Sequence, residues 1–269
     1  LSGANLEGAN LSGANLEGAK LGSANLNRIE AAKASFEDSD LKQAKLVGAN
    51  LKGVNLEDAN LSGANLEGAN LSGANLKDAN LENANLSGIE AAEASFEDSD
   101  LKQAKLVGAN LTGANLSGAN LKDANLNGAN LEDANLSGAN LKNSNLENAN
   151  LSGVEAVKAN LENANLIGQN LSSINLSGVD LSGANLTGAN LEGRNLAKVD
   201  LENSNLENAN LSSVNLTGAD LENANLTGAD LKNANLTDAD LEGATGGDLA
   251  GAKICRTTMP DGKKSNVSC

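Results

Sequence analysis

The sequence predicts an all-β chain wound as a parallel solenoid. Three observations predict it. A Leu, rarely replaced by Phe or Ala, recurs at every fifth residue from Leu1 to Leu241 with no slip of frame. A small residue, usually Ala, stands two positions before each, and the residue between them is usually Asn or Asp. Aromatic residues are nearly missing: two Phe, no Trp and no Tyr in 269 residues, too little aromatic volume for an ordinary globular core of this length.

A period of five matches neither a helix at 3.6 nor a lone strand at 2. On a helix the Leu positions would wander around the surface and leave no buried face. In a coil built of short straight sides, each five-residue segment can form one side. Alternate residues on a side share a face, so the central Leu and the small residue two before it both point inward. Stacked coils then pair through their main chains at roughly 4.8 Å. The bias toward regularly spaced Leu and Ala, rather than toward Pro, Ser and Glu, separates this repetition from disorder.

The phrases "ANLSG", "ANLEG" and "ADLEN" resemble the pentapeptide-repeat family, whose pattern is A-(D/N)-L-X-X, and the resemblance runs over residues 1–244. It implies a right-handed quadrilateral parallel β-helix with four pentapeptides per coil. Residues 1–240 would then make about 12 coils, a rod on the order of 58 Å long. The duplication of "IEAAKASFEDSDLKQAKLVGANL" fits this coil. Residues 29–51 recur at 89–111 with one change, Lys33 to Glu93, and the offset of 60 is three coils of 20.

Exceptions test the inward assignment. Where the central residue is Ala (Ala31, Ala91, Ala156), the site two before it is large: Ile29, Ile89, Val154. Sizes have been exchanged within the pair, as close packing demands. Gln169 and Arg194 occupy the small site with no such exchange. A buried Arg without a partner is costly, so a local bulge or an outward side chain is expected at both, with a ligand site as the other option.

The chain carries 35 acidic and 19 basic residues, a net charge of −16, which disfavours nucleic acid as a partner. With four pentapeptides per coil, one face stacks Glu37, Asp38, Glu57, Asp58, Asp78, Glu97 and Asp98, interrupted by Lys77. Another stacks Asp180, Asp200, Asp220 and Asp240 beside Glu202, Glu222 and Glu242. Such ladders could attract Ca²⁺, but no spacing resembles a calcium loop, so solvated acidic faces are expected and no metal site is assigned. The Asn ladders are expected to hydrogen-bond along the rod. With no His, no Cys cluster, no phosphate cradle and no nucleophile–base pair, neither catalytic residues nor a cofactor is expected. No apolar run reaches membrane-spanning length, no basic-then-apolar stretch is present, and Leu1 already lies inside the repeat. A processed or truncated product is expected.

After Leu241 the frame shifts. Leu249, Ile254 and Met259 are again five apart, and the step of eight is expected to hold a short loop around "TGGD". Residues 245–269 would form a partial coil and a cap over the open sheet end, stopped at Pro260-Asp261-Gly262. Cys255 is expected to face outward, where Cys269 can return to it as a disulfide; two free thiols are the other state. The tail carries +2, leaving −18 on the solenoid, and Lys263 and Lys264 are expected to screen the ladder that ends at Asp240.

"CRTTMPDG" followed by a second Cys resembles the ending of cyanobacterial pentapeptide-repeat proteins, some of them exported. This implies the periplasm or thylakoid lumen, with the cytoplasm as the alternative. The expected function is a non-enzymatic, monomeric scaffold with an unknown protein partner and no membrane insertion. The resemblance also raises a DNA-mimicking binder of DNA gyrase, although the tail lacks the apolar dimerisation module that such proteins carry. Ice binding would need a flat Thr array, and the outward positions mix Glu, Lys, Ser and Thr.

Overall fold

The computed structural model describes residues 1–269, and it contains strands and turns but no helix. Parallel bridges join residues before a central Leu to their equivalents four pentapeptides further on: Asn5 to Asn25, Asn10 to Glu30, Asn15 to Ser35, Lys20 to Asp40. Repeated up the chain, these bridges form four ladders, one per side of the coil.

Each side ends in a tight turn. The N–H of Ala4 donates to the Leu1 carbonyl at 2.9 Å, and the residue before Ala4, Gly3, has φ of +69°. A positive φ at this third position defines a type II turn, which explains why Gly, Asn and Asp dominate there. The pattern holds at every turn from Gly3 to Gly243 except at Ser173. With a corner in every pentapeptide, each side is too short for long strands.

The inward sites form one apolar column from Leu21 to Ala244. Ile29, Ala31, Ile89 and Ala91 are fully buried, as the size exchange requires. Phe36 and Phe96 lie one pentapeptide beyond Ala31 and Ala91 and are buried as well.

At the C-terminal end the coil is shortened, not looped. Strand β1 (Asn225–Asp230) pairs in parallel with β2 (Thr245–Asp248), and Leu226–Asp230 is opposed only by Gly246–Asp248. Lys253 therefore bridges Asn235, and Thr258 bridges Asp240, at a separation of 18. The expected loop is corrected to a shortcut that drops two positions from the coil. Glycine permits it: a Cβ on Gly246 would lie 2.6 Å from the Thr227 Cα, and one on Gly247 3.1 Å from the Leu226 Cβ. Ile254 and Thr257 are buried and Met259 half-buried; the Thr257 hydroxyl donates to the Leu236 carbonyl at 2.6 Å.

The tail then folds back as a hairpin. Strand β3 (Thr257–Thr258) pairs antiparallel with β4 (Lys264–Ser265), and the Ser268 N–H donates to the Ile254 carbonyl. Cys255 and Cys269 are joined by a disulfide. Cys255, expected on the outside, is buried beneath this return segment.

Candidate interaction surface

The Asn or Asp before each Leu performs two tasks. Its side-chain oxygen accepts the N–H two residues on, as Glu7 donates to Asn5 Oδ1 at 3.2 Å, closing an Asx turn that fixes the corner. An Asn amide then donates along the rod, as Asn25 Nδ2 does to Asn5 Oδ1 and Asn85 Nδ2 to Asn65 Oδ1, both at 3.0 Å. The Asn ladders are hydrogen-bonded stacks.

Carboxylates on the first acidic face are tied into these stacks. Glu37 accepts from Asn55 at 2.8 Å, Glu57 from Asn75 at 3.0 Å, and Glu97 from Asn115 at 3.1 Å. Lys77 lies 3.7 Å from Glu97 and 4.0 Å from Asp78, so it neutralises part of this face. Asp38, Asp58, Asp78 and Asp98 all hold the left-handed turn position. No three acidic side chains converge as a metal cage would require.

The second face differs. Asp180, Asp200, Asp220 and Asp240 stack by main-chain bridges, and an Asp, unlike an Asn, has no amide to donate to the neighbouring coil. Each Oδ1 accepts the N–H of its own turn, from Ser182, Glu202, Glu222 and Glu242 at 2.9–3.0 Å. None of these Asp residues, nor Glu202, Glu222 or Glu242, has a basic side chain within salt-bridge distance. This face is a column of negative charge with no ion pair along it.

Gln169 and Arg194 do not point outward. Gln169 is buried, and its Nε2 donates to the Leu146 carbonyl of the preceding coil at 2.9 Å. Arg194 is half-buried, with an Nε that has no partner. Space for one small side chain holds a long polar one, and the neighbouring main chain gives way instead. Nothing in a single repeat signals this; only the oversized residue in the small site does.

The tail's contact with the rod also differs from expectation. Lys263 turns to Asp261 at 2.6 Å and Lys264 lies near the Arg256 carbonyl, so neither reaches Asp240. Arg256 makes the link instead, with Nε and Nη2 each 2.6 Å from one of the two carboxylate oxygens of Asp238. The guanidinium holds the Asp238 carboxyl below the usual aspartate range, chiefly through this hydrogen bonding. A depressed folded-state value means that the stabilisation is present above the ordinary aspartate range and is lost as pH falls through the folded value. Asp238→Asn is therefore expected to lower the unfolding midpoint at pH 7 in low salt, by an amount that shrinks as pH falls through the folded-state value. Thermal melts across the acid range check this; a drop of the same size at every pH would remove the charge pair as the cause.

The family profile described as pentapeptide repeats matches residues 1–28, 34–73, 74–118, 94–133, 114–153, 159–193, 195–233, 209–245 and 220–259. The chain belongs to the pentapeptide-repeat family. Among solved pentapeptide-repeat structures, HetL, involved in heterocyst differentiation regulation in the cyanobacterium Nostoc sp. Strain PCC 7120, is 28% identical, with 98% of this chain and 93% of that chain covered and a TM-score of 0.33. AT2G44920, from the Arabidopsis thaliana thylakoid lumen, is 28% identical over 45% of this chain and 68% of that chain, with a TM-score of 0.20. Full-length QnrB1, a plasmid-mediated fluoroquinolone resistance protein, is 17% identical over 96% of this chain and 92% of that chain, with a TM-score of 0.24. No curated protein matches the sequence. This pentapeptide-repeat chain has no helix long and apolar enough to cross a membrane.

Proposed function

We propose that this pentapeptide-repeat chain is a non-enzymatic, monomeric interaction scaffold that offers an acidic rod to a protein partner with a basic surface. The rod is a right-handed quadrilateral β-helix of about 12 coils over residues 1–244, closed by a cap at 245–269. The column Asp180–Asp200–Asp220–Asp240 carries the reading. Like charges stacked at roughly 5 Å repel, and a cationic surface laid along them relieves that repulsion at every coil. Such contacts steer association and weaken with salt.

A lysine-rich peptide is the probe. It should bind the intact protein with an affinity that falls as salt rises, and Asp200→Asn with Asp220→Asn should weaken it several-fold at low salt. Equal binding by the neutralised variant would remove this face as the contact. The disulfide of Cys255 with Cys269 supports an extracytoplasmic setting, the periplasm or thylakoid lumen.

The net charge of −16 favours one other reading, a DNA-mimicking binder of DNA gyrase. A supercoiling assay separates the two: inhibition at micromolar protein would replace the scaffold reading.

A further inference from the structure

The four ladders are interrupted at two rungs, Asn150–Asn170 and Asn175–Asn195. Around Gln169, five main-chain hydrogen bonds that the repeat makes elsewhere are missing: Asn148 N–H to Ile167, Leu151 to Asn170, Gly153 to Ser172, Asn170 to Ala149, and Asn175 to Val154. Around Arg194 the same five are missing at the same offsets: Ser173 to Glu192, Leu176 to Asn195, Gly178 to Ala197, Asn195 to Ile174, and Asp200 to Val179. None of these ten N–H groups has another acceptor in the protein. The counterparts of Gln169's set one coil earlier, from Gly128 to Glu155, are all paired. So are the counterparts of Arg194's set one coil later, from Gly193 to Asp220.

One cause explains both sets. Gln169 and Arg194 are the two oversized polar residues in a site otherwise held by small or β-branched side chains, and each opens the seam against the adjoining coil. Gln169 replaces the lost main-chain bonds with a single side-chain bond across the seam, to Leu146. Ser173, the one turn position without a positive φ, lies between the two seams. The core beneath is also underfilled. Ala31 and Ala91 are each followed by Phe, whereas Ala156 is followed by Leu161, and a cavity of about 20 Å³ lies among Leu151, Val154, Ala156, Leu161 and Leu166.

We infer that residues 148–200 are a joint between two stiff lengths of rod. A β-helix resists bending because all four sides are bonded coil to coil. Here one side is open at the first seam and the neighbouring side at the second, while bonds such as Ala156 N–H to Asn175 and Leu171 N–H to Asn190 hold the remaining sides. Opening either seam further breaks no main-chain ladder bond at that rung and lets water reach groups that already lack partners, so bending there costs little. Because the seams lie on adjacent sides, the rod bends about two axes. The acidic column thus crosses the joint: Asp180 lies within it and Asp220 beyond it.

Two measurements on the full chain test the joint. Hydrogen exchange read residue by residue should show the ten amides exchanging at least about tenfold faster than their paired counterparts. Gln169→Ala should restore protection to the first five alone, and Arg194→Ala to the second five alone. Alanine is the common residue at this site, so both variants keep the fold. Spin labels placed by Glu67→Cys and Glu222→Cys, across the joint, should give a broad distance distribution that narrows in the Gln169→Ala, Arg194→Ala double variant. Labels at Glu17→Cys and Glu132→Cys, on one side of the joint, should give a narrow one throughout. Equal protection at all amides, or a cross-joint distribution as narrow as the one-sided control, would overturn the inference.

Discussion

Ile89→Ala is expected to destabilise the solenoid by about 2–5 kcal/mol, the range for deleting a buried aliphatic side chain where the site cannot collapse. Ile89 is fully buried beside Ala91, and the coils above and below are held at fixed spacing by the ladders. The informative variant is the pair. Ala91→Leu alone overfills the coil and is expected to cost about 1–3 kcal/mol. Ile89→Ala with Ala91→Leu restores the common small-then-large order at nearly constant volume, and should recover most of both losses. Urea unfolding of the three variants measures this coupling. Losses that simply add in the double variant would show that the two side chains do not share one space, and would undo the inward assignment of both positions.

Loss of the disulfide is the second large effect. Cys255 and Cys269 close a loop with a sequence separation of 14, for which chain entropy in the unfolded state gives about 3 kcal/mol. The hairpin it fastens is also held by two β3–β4 register pairs, the Met259 N–H to the Lys263 carbonyl, the Ser268 bonds to Ile254 and the Asn266 side chain on Arg256. Cys255→Ser with Cys269→Ser should release residues after Pro260 to protease under conditions that leave the intact chain uncut, and should lower the melting midpoint. In a solenoid each coil is supported only by its neighbours, so the loss should begin at the C-terminal coil and leave the N-terminal ladders bonded. An unchanged cleavage pattern and midpoint would mean that the hairpin's hydrogen bonds suffice without the bridge.

Most of the architecture is legible because each position in the repeat has one physical task. Leu fills the column, a small residue lets the facing side approach, Asn closes the turn and stacks, and the third turn residue tolerates a positive φ. Repetition makes each assignment recur. A period of five, with a block duplicated from Ile29 to Ile89, predicts the four-pentapeptide register that the bridges display. The acidic faces follow from the same register. So does what separates them: Glu37, Glu57 and Glu97 accept from the Asn amide 18 residues on, whereas the residues 18 after Glu202 and Glu222 are Asp220 and Asp240, which have no amide to donate.

The departures are where composition could not decide. The step of eight after Leu241 reads equally as five plus three or ten minus two, and only the close approach of Gly246 to Thr227 selects the shortcut. The tail has four basic residues, and geometry alone makes Arg256, rather than Lys263 or Lys264, the one that reaches the rod. By itself the sequence determined the period, the inward residues, the turn chemistry and the charge of the faces, since each is a local property repeated many times. The tertiary structure alone decided what happens where the repeat is broken once, at Gln169, Arg194 and the Gly246–Gly247 corner. At such a place the local preference is outvoted, and the outcome rests on how much the coil above and the coil below can yield.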